Sequence, residues 1–121
     1  MAPDPHADVT IYHNPRCSKS RQTLQLLRER GVEARVVEYL KTPPSAEELT
    51  RLLDMLGMEP RDLMRKKEAE YTEASLDDPG LTRETLIRAM VQRPTLIERP
   101  IVVANGKAAL GRPPENALEI L

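Results

Sequence analysis

The chain has 121 residues, of which 40% are hydrophobic and 31% charged, and its formal net charge is −1. This length predicts a single domain, and the composition is typical of a globular protein rather than a disordered or fibrous one. The near-zero net charge argues against nucleic acid as a main partner, because such partners require a basic face, and the only aromatic residues are three tyrosines, too few for a set of stacking platforms.

No apolar run approaches the roughly 20 residues that a membrane helix needs, so no membrane partner is expected. Residues 1–8 lack the cationic start and the apolar stretch of a secretory signal, and they are interpreted as a flexible lead-in to one domain over residues 9–121. The single cysteine, Cys17, excludes an internal disulfide. Together these features predict a cytoplasmic protein.

The N-terminal part of the chain alternates strand and helix patterns. Residues 9–12 form a β-rich run that the Pro-containing segment 13–15 ends. A helical pattern follows from about Cys17, with Gly31 as its natural C-cap, and residues 34–40 form a second β-rich run. Strand, helix and strand within about 30 residues predict a βαβ unit with parallel strands.

Helical patterns dominate the middle of the chain. Ser45 and Glu48 have the spacing of a capping box, and Gly57 is placed to end the helix that they begin. Residues 62–70 indicate further helical turns, and Thr82 is a suitable N-cap for another helix. This part of the chain is therefore predicted to be a helical insertion.

Strand patterns return near the C-terminus. Residues 101–103 and 108–110 flank Asn105-Gly106, which predicts an antiparallel hairpin with a type I′ turn. A last short helix is predicted after the Arg-Pro-Pro sequence at 112–114. The order βαβ, helical insertion and ββα predicts an α/β thioredoxin-like fold with a central mixed sheet flanked by helices.

Cys17 is the first candidate for chemistry, because it follows a strand and a turn and opens a helix. The free N–H groups and the dipole at a helix N-terminus stabilise an anion, and nearby cations such as Arg16, Lys19 and Arg21 would add to this effect. The same amides could hold a tetrahedral oxyanion. The alternative is a buried, inert cysteine, which is the common state of a free cysteine. The polar and cationic surroundings favour a reactive thiolate.

The residues at fixed distances from Cys17 in sequence test more specific types of site. A dithiol site requires Cys-x-x-Cys, but Ser20 occupies the second position, and a phosphatase loop requires Cys-x5-Arg, but that position is Thr23. One cysteine and two histidines are too few ligands for a zinc site, and the glycines form no phosphate-binding fingerprint. A single reactive thiol with an anion cradle remains, and neither a metal nor a bound cofactor is expected.

Arginines in loops complement such a cradle, because a guanidinium binds oxyanions bidentately. Arg99 precedes Pro100 immediately before a predicted strand, and Arg112 lies in a Gly-Arg-Pro turn after the hairpin. Loop positions of this kind carry binding residues more often than helix faces do. Arg65 begins the basic run Arg-Lys-Lys, which taken alone indicates only a charged helix face.

With these residues identified, the chain resembles the glutaredoxin-dependent arsenate reductase family from about residue 9 to its end. The matching segments are residues 11–21, 43–45, 63–66, 98–103 and 110–113. The pattern of His13, Cys17 and Arg21, each separated by three residues, together with two spaced Arg-Pro motifs, is more specific than any single segment. The resemblance implies a thioredoxin fold with a helical insertion.

The resemblance also implies roles for individual residues. Cys17 would be the catalytic nucleophile, and three arginines would surround the oxyanion: Arg65, Arg99 and Arg112. In support of these, His13 would influence the pKa of the cysteine, Ser20 would hydrogen-bond the thiolate, and the peptide bond before Pro100 would be cis.

The implied activity is thiol-dependent reduction of arsenate to arsenite. A Cys17–arsenic adduct would form, glutathione would act as co-substrate, and glutaredoxin would be the protein partner that completes the cycle. The rival hypothesis is a thioredoxin-fold regulatory or binding protein without this activity, because relatives with similar folds act on other substrates or bind RNA polymerase. The presence of all three arginines favours the reductase.

Overall fold

The computed structural model describes residues 9–121, so the predicted lead-in over residues 1–8 lies outside the described residues. The described chain forms two compact units. The first unit contains residues 9–42 and 99–121, and the second contains residues 43–98. None of the helices in the described residues combines the length and apolar character needed to cross a lipid bilayer.

A four-stranded mixed sheet forms the frame of the first unit. Its strands are β1 (Thr10–His13), β2 (Arg35–Glu38), β3 (Ile101–Ala104) and β4 (Lys107–Leu110), in the spatial order β2-β1-β3-β4. β1 is parallel to β2 and antiparallel to β3, and β3 is antiparallel to β4. The parallel βαβ unit and the C-terminal hairpin predicted from the sequence are thereby confirmed.

The hairpin turn and the helices of the first unit follow from local sequence. Asn105 and Gly106 both have positive φ, 55° and 72°, as a type I′ turn requires. Helix α1 (Ser18–Glu29) connects β1 to β2, and the predicted last helix is the 3₁₀ helix Pro114–Ile120. Together these elements enclose the apolar core of the unit, made of Val9, Ile11, Leu27, Val32, Val102, Ala104, Ala117 and Ile120.

The second unit is helical, as predicted, and begins with helix α2 (Ala46–Leu56). Ser45 caps this helix and completes the predicted capping box with Glu48, and Gly57 ends it in the left-handed conformation with φ 67°. Helices α3 (Ala69–Glu73) and α4 (Arg83–Gln92) follow. The predicted N-cap of α4 is also confirmed, because the Thr82 side chain accepts a hydrogen bond from the Thr85 N–H.

The prediction of helical turns throughout residues 62–70 was wrong. A 3₁₀ helix covers Pro60–Leu63, Met64 is extended, and α3 begins only at Ala69. Met64 forms an antiparallel bridge with Ile97, and the Arg65 N–H donates to the Leu96 carbonyl over 2.7 Å. These hydrogen bonds to a segment about 30 residues away in sequence replace the local i to i−4 bonds that the helical pattern indicated.

Candidate active site

Cys17 lies between the end of β1 and the start of α1, where it is the N-cap residue. Its backbone is extended, with φ −92° and ψ 123°, and its N–H donates to the Asn14 carbonyl over 3.0 Å. The side chain is 8% exposed. The first N–H groups of α1 have no hydrogen-bond partner within the helix, so those next to Cys17 are available to the sulfur.

The turn before Cys17 is fastened to α1 by side chains of the helix. Ser20 Oγ accepts from the Asn14 N–H over 3.0 Å, and the Arg21 guanidinium donates to the Pro15 carbonyl over 2.9 Å. Within the turn, Asn14 Oδ1 accepts from the Arg16 N–H over 3.0 Å. Arg21, which was expected to support the site, therefore holds the shape of the turn.

His13 is buried at the end of β1 and contacts the same serine. Its Nδ1 is 2.6 Å from Ser20 Oγ in a hydrogen bond. Burial lowers the pKa of His13 below its ordinary value; Glu38 opposes this change, while Arg28 and Arg21 add to it. The lowered pKa favours the neutral imidazole. Its implied influence on the cysteine stays a prediction, and the contact through Ser20 is the route available to it.

The pKa of the Cys17 thiol is lowered from its ordinary value. Burial alone raises it, but the N–H of Ser20, the charge of Arg99, the N–H of Lys19 and the charge of Arg112 together outweigh burial. Hydrogen bonds and positive charges favour the thiolate because they stabilise the charged form. Ser20 thus contributes to the sulfur through its main chain.

The charges that act on the sulfur differ from those that the sequence indicated. Sequence proximity pointed to Arg16, Lys19 and Arg21, whereas the guanidinium groups that lower the thiol pKa are those of Arg99 and Arg112. The side chains of the three neighbouring cations are exposed around the turn.

Arg112 contacts Cys17 in the first unit and binds the main chain of Arg99. Arg112 Nη2 is 3.5 Å from Cys17 Sγ, and Arg112 Nε donates to the Arg99 carbonyl over 2.7 Å. Arg99 is only 9% exposed. The Arg99–Pro100 peptide bond is cis, as the resemblance implied, and so is the bond between Arg112 and Pro113. The structure therefore brings two of the three predicted arginines to the sulfur.

Arg65 belongs to the second unit, where its guanidinium pairs with Glu68 over 2.5 Å. Its main chain is held by the hydrogen bond to Leu96 described above, in the segment that runs into Arg99. The part of Arg65 in the site stays a prediction.

Sequence reasoning missed one residue of this region, Thr23. Its spacing predicts a place with Leu24 and Leu27 on one face of the helix, and it also occupies the arginine position of a phosphatase loop, but neither pattern indicated a role in the site. The structure buries it completely on the side of α1 that also buries Ser20 and Leu27. The available signal was a polar residue at helical spacing on a face otherwise expected to be apolar.

The lowered thiol pKa gives a first testable prediction. Alkylation of Cys17 by iodoacetamide should show a midpoint in pH below the ordinary cysteine value of about 8.5, because the thiolate is the reacting form. The same protein unfolded in urea is the matched control, and its midpoint should return to the ordinary value. A folded midpoint equal to or above the unfolded one would exclude an activated thiolate.

Known proteins resemble this chain over most of its length. The model of the ArsC family matches residues 12–120. The chain is 62% identical over 114 residues to the uncharacterised protein YfgD of Escherichia coli (strain K12), covering 93% of this chain and 96% of that protein. It is 52% identical over 115 residues to an arsenate reductase of Neisseria meningitidis (serogroup A, strain Z2491), covering 94% and 98% of the two chains.

Solved structures of arsenate reductases also resemble this chain. An arsenate reductase from Vibrio cholerae superposes with a TM-score of 0.92 at 56% identity, covering 94% of this chain and 98% of that one. The prediction of an α/β thioredoxin-like fold is thereby confirmed. Cys17 lies at a helix N-terminus with two arginines beside it. The family model covers nearly all of the described residues, and a solved arsenate reductase superposes closely on the chain. The chain belongs to the ArsC family.

Proposed function

We propose that this protein reduces arsenate to arsenite, with Cys17 as nucleophile and with glutathione and glutaredoxin as the sources of electrons. The observation that carries the proposal is the contact between the Cys17 sulfur and Arg112 Nη2 at the N-terminus of α1. A thiolate that is stabilised by N–H groups and guanidinium groups is prepared to attack an electrophilic oxyanion. The relatives from Neisseria meningitidis and Vibrio cholerae, named as arsenate reductases, support arsenate as that oxyanion.

Arginines hold the substrate in this proposal. Arg112 contacts the sulfur, and the charge of Arg99 acts on it. The family resemblance supports Arg65 as the third arginine. Guanidinium groups are suited to this task because each presents two parallel N–H donors to two oxygens. They also neutralise the negative charge that develops as the sulfur attacks.

The first chemical step joins sulfur to arsenic. The Cys17 thiolate attacks As(V), an S–As bond forms, and one As–O bond breaks. The departing group is an As–OH hydroxyl, which takes up a proton and leaves as water. Arsenic keeps its oxidation state in this step, and the product is a Cys17–arsenate adduct.

The second step transfers the electrons. A glutathione thiolate attacks the Cys17 sulfur, so an S–S bond forms and the S–As bond breaks. The electron pair of that bond stays on arsenic, which becomes As(III) and leaves as arsenite. A glutaredoxin thiolate then attacks the glutathione sulfur of the mixed disulfide and releases the Cys17 thiolate. The cycle oxidises two external thiols, because Cys17 is the only cysteine of the chain.

This cycle requires a reducing compartment, so we place the protein in the cytoplasm. The protein itself needs no bound cofactor or metal in this scheme. The chemistry is supplied by one thiol, the main-chain N–H groups around it and the arginines.

The test is a coupled assay with arsenate, glutathione, glutaredoxin and a system that recycles oxidised glutathione. Arsenite should form catalytically, and omission of glutaredoxin should reduce turnover. Thioredoxin in place of glutaredoxin tests the choice of partner. Failure to form arsenite with either partner would contradict the proposal and favour the regulatory or binding protein as the rival function.

A further inference from the structure

The Thr23 hydroxyl connects α1 to the loop that carries Arg112. Thr23 Oγ1 donates to the Lys19 carbonyl over 2.8 Å, one helical turn earlier. The same hydroxyl also points to the carbonyl oxygen of Gly111, 88 positions away in sequence, over 3.4 Å. Its one proton is shared between the two carbonyls, with the shorter bond to Lys19. The side chain is completely buried, so water does not compete for these contacts.

Gly111 is held closely on this side of α1. A Cβ atom built on Gly111 would overlap Thr23 Oγ1 and would lie 2.7 Å from Pro100 Cγ. The Gly111 N–H also donates to the Pro100 carbonyl over 2.9 Å. The main chain at residue 111 is therefore fixed between Thr23 and Pro100, and only glycine fits there.

The two residues of this contact, Thr23 and Gly111, are each connected to a group that acts on the Cys17 sulfur. On the helix side, Thr23 binds the carbonyl of Lys19, whose N–H is one of the groups that stabilise the thiolate. On the loop side, Arg112 follows Gly111 and places its Nη2 3.5 Å from the sulfur.

We propose that Thr23 is a positioning residue, which sets the distance between the Cys17 sulfur and the Arg112 guanidinium by holding Gly111 against α1. The hydroxyl touches neither reacting atom, and it acts through Arg112. The proposal rests on the proposed function only in placing Cys17 and Arg112 in one active site, and its main test requires no arsenate.

The test measures the pH dependence of Cys17 alkylation in variants of Thr23. Thr23→Val removes the hydroxyl at nearly constant volume, which loosens Gly111 and weakens the effect of Arg112 on the thiolate. The midpoint should rise, and alkylation at a pH below the midpoint should slow about threefold, the scale expected for one buried hydrogen bond. Thr23→Ser keeps the hydroxyl and should restore the wild-type midpoint.

A matched control and a double variant separate positioning from general stability. Thr50 in α2 makes the same bond to the carbonyl four residues earlier, over 2.8 Å to Ala46, so Thr50→Val should leave the midpoint unchanged. In an Arg112→Ala background, Thr23→Val should cause no further change, because the group through which it acts is absent.

Two results would overturn the proposal: a wild-type midpoint in folded Thr23→Val, or an equal shift with and without Arg112. Circular dichroism establishes that each variant is folded. If the valine variant does not fold, Thr23→Ala supplies the same comparison, because alanine is the better helix former. Since alkylation does not depend on arsenate, these results stand whether or not arsenate is the substrate.

Discussion

A folded Cys17→Ser variant is expected to lose arsenate reduction by about 10³-fold or more, the scale on which enzymes respond to removal of their nucleophile. The serine hydroxyl stays protonated at neutral pH, whereas the Cys17 thiol has a lowered pKa. Serine is similar in size, and the groups that surround the sulfur can hydrogen-bond an oxygen as well. The fold and its stability should therefore change little.

The measurement is arsenite formation at saturating glutathione and glutaredoxin, with circular dichroism to verify the fold. Calorimetric titration with arsenate provides the internal control. Binding should persist in Cys17→Ser, because the arginines and not the sulfur hold the oxyanion before the S–As bond forms. Arsenite formation above background by the folded variant would refute the mechanism.

Substitution of either arginine beside the sulfur should cause the next largest loss of activity. Arg99→Ala and Arg112→Ala should each lower kcat/KM about 30- to 1,000-fold. This corresponds to a loss of about 2–4 kcal/mol of transition-state stabilisation, as expected when one charge-stabilising donor is removed. Both should also raise the alkylation midpoint of Cys17, because each guanidinium lowers the thiol pKa. Arg88, exposed on α4, is the matched control, and Arg88→Ala should retain wild-type activity.

Lysine variants separate charge from geometry at these two positions. Arg112→Lys keeps a positive charge near the sulfur but loses the planar pair of donors, so it should preserve more of the low midpoint than of the activity. Arg99 is buried, and its truncation also removes packing, so urea unfolding of Arg99→Ala must accompany the kinetics. Equal losses in Arg88→Ala and Arg112→Ala would mean that activity depends on overall charge and not on contact with the sulfur.

Arg99 and Arg112 are both far from Cys17 in sequence, and there is a physical reason for this. A helix N-terminus supplies N–H groups to the sulfur from residues that follow it directly, here Lys19 and Ser20. Positive side chains on the same turn point away into solvent, as the exposed Arg16 and Lys19 do. Charge close to the sulfur must therefore come from another element, and the loops before β3 and after β4 supply it through Arg99 and Arg112.

Local features of the fold were predictable from the sequence, because each depends on a few neighbouring residues. The capping box of Ser45 and Glu48 and the turn at Asn105-Gly106 are short-range patterns with fixed hydrogen bonds and φ values, and both are confirmed. The position of Cys17 at the start of α1 follows from the change from strand to helix pattern. Local residue patterns therefore predict the order of elements and the thiol at a helix N-terminus.

The surroundings of that thiol depend on contacts between distant parts of the chain. Residues 62–70 read as helical, yet Met64 pairs with Ile97, because hydrogen bonds to a distant segment outweighed a weak local preference. Likewise, Arg112 reaches Cys17 and Thr23 reaches Gly111 across about 90 residues. Such contacts leave no periodic pattern in the sequence. They arise when β3 pairs with β1 and with β4, which brings the loops before β3 and after β4 to the start of α1. Local patterns placed the nucleophile, and strand pairing placed the charges that activate it.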